Sequence, residues 1–265
     1  MNTLHLRLIQ AALRDGDVSG NLDMVLKHIA AARQQADLVI FPETCVQGFP
    51  TPDTIGRLAE PVDGAPIRAI RDAARRAQVG VAIGFAERDA AGFFNTALLI
   101  DETGEIRLVY RKTHLYDSDL GVFDAGDALP VCEWRGTRLG MLICFDLEFP
   151  ETARSLARGG AELIVILDGM MNPHGHVHRQ MIPVRAMENQ VFVAMANRVG
   201  PGDRYTFSGT SLVASPDGAC LALAPADREH VIDIAIDLDE VARSREAFKY
   251  IDLAAVPPGP ISARR

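Results

Sequence analysis

Short apolar runs and amphipathic stretches take turns along this chain, a rhythm that predicts alternating strands and helices. Residues 4–12 read as a first strand. Asn21 is the expected cap of a helix whose apolar positions, Leu22, Val25, Leu26 and Ile29, fall at i, i+3, i+4 and i+7. A buried strand follows at 37–43, and Pro66 opens a second helix with Ile67, Ile70, Ala73, Ala74 and Ala77 on one face. Strands are predicted at 79–87, 95–100 and 105–111, then a hairpin of 131–134 and 138–144 around Arg135-Gly136. The second half repeats the alternation. A helix at 150–158 is stopped by Gly159-Gly160, and a strand at 161–167, a helix near 177–189 and a strand at 191–197 come next. Further strands are expected near 208–214, 219–224 and 231–237, then a short helix from about 239. Pro257, Pro258 and Pro260 mark an extended tail from about 250. No linker interrupts the pattern, so residues 1–265 are expected to form one α/β domain with helices outside two sheets.

Composition narrows the possible partners. Apolar residues make up 48% of the 265, enough for a large core, and the net charge is -8. With basic residues scattered, that charge argues against a nucleic-acid or anionic-membrane partner. Cys45, Cys132, Cys144 and Cys220 show no paired spacing, which suits reduced thiols in the cytoplasm. No window reaches the length of a membrane span, and no dinucleotide or phosphate loop is present.

The chemistry gathers at strand ends. The run LGMLIC delivers Cys144 to a strand-to-helix elbow, where Pro150 begins the next helix. A helix N-terminus there is expected to favour the thiolate. Taken alone, Cys144 is better explained as a small buried residue at a strand end. Glu43 follows LVIFP and Lys112 follows LVYR, each again at the end of a strand, where ligands collect in open α/β sheets. Each alone is better explained as an ordinary loop or surface charge. Together they supply a nucleophile, a proton shuttle and an oxyanion donor. A thiol of pKa about 8.5 needs a base or a cation to attack a carbonyl. Glu43 can take that proton and return it to a departing amine, while Lys112 and the Phe145 N–H meet the oxyanion.

FPETCVQGF around Glu43, YRKTHL around Lys112 and LGMLICFDLEFPE around Cys144 resemble the three signatures of the nitrilase superfamily, the carbon–nitrogen hydrolases. The resemblance runs over essentially the whole chain. It is closest to the aliphatic amidase branch, which includes 5-aminopentanamidases and R-stereoselective amidases. It implies a four-layer α-β-β-α sandwich, a homodimer or larger assembly formed through outer helices, no metal and no cofactor. It also implies a second acid between Lys112 and Cys144, and Asp119 occupies that slot, seven residues before Gly126. The segment after strand 161–167 departs from the branch at Asp168 and Met170. With Phe49, Phe145 and Gly169, these are the expected substrate-binding residues. Asp168, with no Arg before Pro173, would favour a neutral or cationic substrate over an anionic one; a structural Asp bonded to backbone amides is an equal reading.

His174, His176 and His178 invite a metal reading, but no carboxylate or Cys stands at ligand spacing in sequence, and a pocket-wall role is preferred. Cys132, Cys220 and Trp134 read as core residues, and Arg185, Glu188 and Asn189 as structural support. The expected activity is hydrolysis of a small carboxamide to acid and ammonia through an acyl-Cys144 thioester. A nitrilase, an N-carbamoyl-amide hydrolase and a non-catalytic binding or scaffold protein are the alternatives.

Overall fold

The computed structural model describes residues 2–253. Its first half runs β1 (Thr3–Gln10), α1 (Val18–Ala31), β2 (Leu38–Ile40), α2 (Ile55–Leu58), α3 (Ala65–Ala77), β3 (Gly80–Arg88), β4 (Phe93–Ile100) and β5 (Ile106–Arg111). The second half opens with β6 (Val131–Trp134), β7 (Thr137–Ile143), α4 (Pro150–Arg158), β8 (Leu163–Asp168), α5 (Gly175–Asn189) and β9 (Phe192–Asn197). It closes with β10 (Val199–Pro201), β11 (Thr206–Ser208), β12 (Leu212–Ala214), β13 (Cys220–Leu223), β14 (His230–Asp237), α6 (Asp239–Ala247) and α7 (Tyr250–Leu253). Two 3-10 turns, Asp117–Asp119 and Cys144–Glu148, complete the set.

Two six-stranded mixed sheets pack face to face, ordered β14-β1-β2-β3-β4-β5 and β13-β12-β9-β8-β7-β6. In each, three parallel strands carry antiparallel neighbours on both sides. Alternation along the strands explains the layering. In β1 and β2, Leu4, Leu6, Leu8, Leu38 and Ile40 point into the core shared by the sheets, while Ile9 and Val39 face the layer of α1 and α3. In β3, Val81, Ile83 and Phe85 take the helix side and Ala82 the sheet side. A one-residue slip would exchange these faces and forfeit roughly 1.5–3 kcal/mol for each large side chain exposed. On the far side α4 and α5 bury Leu156, Ala157, Ile182 and Ala186 against the second sheet. The result is the expected α-β-β-α sandwich.

Several boundaries differ from the sequence reading. Asn21 does not cap α1; it lies buried inside the helix and bonds the Arg14 backbone at both ends of its amide. Asp17 caps instead, accepting from the Gly20 N–H at 2.9 Å. The strand expected at 37–43 pairs only over β2, because Pro42 lacks an N–H and the chain leaves the sheet there. The strand expected at 208–214 is broken at Gly209 and Thr210, both at φ 58°, into β11 and β12. Cys220 is exposed rather than core, since β13 forms a sheet edge. Of the expected extended tail, residues 250–253 form the turn of α7, and the proline segment lies outside the described residues.

Candidate active site

Four strand ends meet at one edge of the sandwich. After β2 the loop bearing Glu43 crosses over β3 at Gly84, where a Cβ would meet Thr44 N at 2.7 Å and Pro42 O at 3.0 Å. Only glycine allows that approach. Gln47 pins the same loop by accepting from the Ala86 N–H at 2.9 Å. The Glu43 N–H donates to the Asp168 carbonyl at the end of β8, at 3.3 Å, which ties the two sheets together. Glu43 Oε1 accepts from Asn95 Nδ2 and from Lys112 Nζ, both at 2.8 Å. Its other oxygen, Oε2, is buried without a partner and lies where a Cβ on Gly169 would stand.

Lys112 continues the edge of β5, its N–H donating to Asn95 O at 2.9 Å. Its Nζ sits between Glu43 and Asp119, the latter at 2.7 Å, and all three residues are 1% exposed. Asp119 Oδ2 also takes the Tyr116 N–H at 2.9 Å, so the short 3-10 turn holds the carboxylate in place. Burial alone pushes the Lys112 ammonium down, but the carboxylates of Glu43 and Asp119, with Cys144 beyond them, reverse it, and the net shift is well upward. Burial raises Glu43 above the usual carboxylate range, with Lys112 opposing. An ammonium donates three hydrogens, and two are engaged here.

Cys144 follows directly on β7 with φ at 44°, a left-handed conformation that costs a non-glycine residue about 1 kcal/mol or more. Asp146 holds it there. Its buried carboxylate accepts from Ile143 N–H at 3.1 Å, Tyr110 O–H at 2.6 Å, and Thr113 O–H and His114 N–H at 2.9 Å each. The ends of β5 and β7, and with them Lys112 and Cys144, are therefore fixed to one carboxylate. Arg185 of α5 secures the other end of the turn, donating to the carbonyls of Leu147 and Glu148. The thiol itself departs from expectation. Burial, then the carboxylates of Glu43 and Asp168, raise it well above its ordinary value despite Lys112 and the Gly169 N–H. It rests protonated, because a short 3-10 turn offers little dipole against two nearby carboxylates.

A cavity of about 180 Å³ opens on Cys144. Phe145 and Met170 line it, joined by Tyr116, Glu148, Met171, Val177 and His174, the one histidine of HGHVH on this wall. Phe49 is not on that wall. It stacks on Phe207 with ring centroids 5.7 Å apart and abuts Gly169 from behind, since its backbone N–H is held by Asp15 at 2.8 Å. Asp168 is not on the wall either. It is fully buried, accepts from the Gly169 N–H at 3.0 Å, and meets His178 Nδ1 at 3.0 Å and 3.1 Å with its two oxygens. Helix α5 begins at Gly175, which turns His178 inward and leaves His174 and His176 exposed. His178 Nε2 lies 3.4 Å from Glu148 Oε1. Burial depresses the imidazole, the two carboxylates outweigh it, and its pKa is pushed up to about 9. No carboxylate or Cys stands at ligand spacing from these histidines along the chain, but both kinds come close to His178 in space. Potential donor atoms of Cys144, Asp168 and His178 lie within 4.8 Å of one another.

Asn95, Asp146, Glu148 and Tyr116 were not singled out as site residues in the sequence. Glu148 and Asp146 lie within the DLEFPE stretch itself, and a carboxylate two or four positions after the nucleophile was the available signal.

A family model described as carbon-nitrogen hydrolase matches residues 5–246. An (R)-stereoselective amidase from a Pseudomonas species is 41% identical over 250 residues, covering 94% of this chain and 90% of that one. A glutamate-to-glutamine mutant of the amidase from Nesterenkonia sp. AN1 aligns at TM-score 0.82 and 29% identity, covering 94% and 96% of the two chains. In that structure the acetamide moiety of fluoroacetamide is attached to the active-site cysteine. A CN-hydrolase superfamily protein from Xanthomonas campestris, with an arsenic adduct in its active site, aligns at TM-score 0.89 and 28% identity over 98% and 100%.

Proposed function

The chain belongs to the carbon–nitrogen hydrolase family, and on that premise we propose that it is an amidase working through Cys144, Glu43, Lys112 and Asp119. The observation that carries the reading is the buried chain of Asp119, Lys112 and Glu43, whose free oxygen Oε2 lies beside Gly169, the residue whose N–H faces the thiol that lines the cavity. The (R)-stereoselective amidase and the Nesterenkonia amidase support the choice of an amide bond.

The electrostatics dictate the order of events. A neutral thiol beside a carboxylate of raised pKa transfers its proton as the sulfur attacks, so no free thiolate has to be stored between two carboxylates. Sulfur bonds to the amide carbon and the carbonyl oxygen takes up the charge. The third hydrogen of Lys112 and the Phe145 N–H, at the start of a turn with unpaired donors, receive it. Collapse breaks the C–N bond, and Glu43 returns its proton to the departing ammonia. Water then attacks the thioester, giving its proton to Glu43. The C–S bond breaks, the carboxylic acid leaves and Cys144 regains its proton. Asp119 keeps Lys112 charged and aimed throughout.

A reaction that needs a reduced Cys144 supports a cytoplasmic setting, and none of the four cysteines forms a disulfide. No helix among the described residues is long and apolar enough to cross a membrane. Val184 and Met187, exposed on the outer face of α5, support self-association as a homodimer. We infer that the described residues, 2–253, belong to one domain.

Cys144→Ala tests the reading. Ammonia release from small amides should stop, with the folded spectrum unchanged, and persistent turnover would refute the assignment. Amides and nitriles assayed side by side separate amidase from nitrilase.

A further inference from the structure

Outside the chain of Asp119, Lys112 and Glu43, one carboxylate near the thiol has no assigned task. Glu148 stands on the wall of the cavity that opens on Cys144, its side chain 29% exposed. Asp168, the other candidate, is sealed away and takes both the Gly169 N–H and the near face of His178. Glu148 approaches that imidazole only from the far side, with its Oε1 3.4 Å from Nε2, and its carboxylate makes no side-chain hydrogen bond among the described residues. One imidazolium thus serves two carboxylates. The surplus negative charge of the trio falls on the member that faces the cavity.

The remaining wall suits a cation. Tyr116 and Phe145 meet edge to face, with centroids 5.5 Å apart, and bring aromatic surface that attracts positive charge. Met170, Met171 and Val177 supply apolar surface, the exposed His174 stands at the wall with them, and no Lys or Arg lines the cavity. Lys112 lies deeper and is committed to Glu43 and Asp119. A volume of about 180 Å³ falls below the roughly 300–1,000 Å³ typical of drug-sized sites, which suits a short acyl chain.

We propose that Glu148 is a specificity-determining residue that selects small carboxamides carrying a cationic group over uncharged and carboxylated ones. The inference rests on the amidase reading and names the substrate class for the same site. It also moves the source of selection from Asp168, whose charge His178 already meets, to Glu148.

The test compares wild type with Glu148→Gln on β-alaninamide and γ-aminobutyramide, on their uncharged isosteres butyramide and valeramide, and on glutaramate. The wild type should prefer each ammonium compound over its isostere by about tenfold in kcat/KM, the size of one charge-assisted contact in a half-wet site. In Glu148→Gln that ratio should collapse toward unity through KM, and glutaramate should gain relative to the amines. Absence of preference for either amine in the wild type, or an unchanged ratio in the variant, overturns the proposal. The same compounds are also tested for protection of Cys144 against iodoacetamide, which reads occupancy without turnover. If no amide releases ammonia yet the amines protect better than their isosteres, the amidase reading fails and the role of Glu148 stands. Equal protection by amine and isostere overturns the role of Glu148.

Discussion

Two clusters flank Cys144, and each places one cation between two carboxylates. Lys112 lies 2.8 Å from Glu43 and 2.7 Å from Asp119; His178 lies 3.0 Å from Asp168 and 3.4 Å from Glu148. The first is buried, and its two carboxylates hold its ammonium well above the ordinary lysine value. The second has one sealed carboxylate and one wet one, around a cation that discharges near pH 9. A fixed charge suits the reacting centre, where the donor must be present at every turnover. A cation that can be lost suits a wall that sets local charge. The thiol between them feels both clusters, since Glu43 and Asp168 each push it upward.

Breaking the sealed cluster should have the largest effect. Lys112→Met leaves Glu43 and Asp119 buried and facing each other without a cation. Removing one partner from such a group costs about 3–5 kcal/mol. Loss of one oxyanion donor should lower kcat by a further 10²–10³, roughly. Urea unfolding and single-turnover kinetics measure the two effects separately. Part of the stability should return as the pH is lowered and Glu43 takes up a proton. A variant as stable as wild type at neutral pH would show that the cluster is not charged as described.

The second cluster should reveal itself through pH. His178 rises from an ordinary 6.5 to about 9 on folding. Its contribution is therefore complete below the unfolded value and is lost as the pH climbs through the folded one. The window is 6.5 to about 9, and the shift corresponds to about 3 kcal/mol. His178→Gln should lose most of that at about pH 6 and converge on wild type by about pH 10. A stability gap that stays constant across this range would mean that the imidazole is neutral.

The contrast between the clusters also explains what could be read from the sequence. Glu43, Lys112 and Cys144 each follow an apolar run, so a local pattern marks them as strand-end residues, and the sandwich follows from the alternation of strands and helices. Asp119 was found only because a resemblance supplied its slot. Asp168 also ends an apolar run and was marked in the same way, but its meeting with His178 and Glu148 has no local mark. The three sit on β8, on α5 and in the 3-10 turn, and meet only because α5 begins at Gly175 and turns a single histidine of HGHVH inward. The protonated state of Cys144 was hidden for the same reason. The nearest backbone suggests a thiolate, while distant carboxylates decide otherwise. Asp146 likewise joins β5 to the elbow across more than thirty residues. Asn21 misled in the opposite sense, because a residue suited to capping was used to bind the loop before the helix.

The smallest effect makes the sharpest comparison, because it removes the same charge from each cluster. Asp119→Asn keeps an oxygen for the Tyr116 N–H and the Lys112 ammonium but deletes a charge from a sealed site, so about 2 kcal/mol should be lost. Glu148→Gln deletes a charge from a side chain 29% exposed, where water screens the pair with His178, and should stay within about 0.5 kcal/mol of wild type. Urea midpoints of the two variants, measured together at neutral pH, provide the ratio. If the two losses are equal, burial does not distinguish the clusters. In that case the division between a fixed charge for chemistry and an adjustable one for the substrate has to be given up.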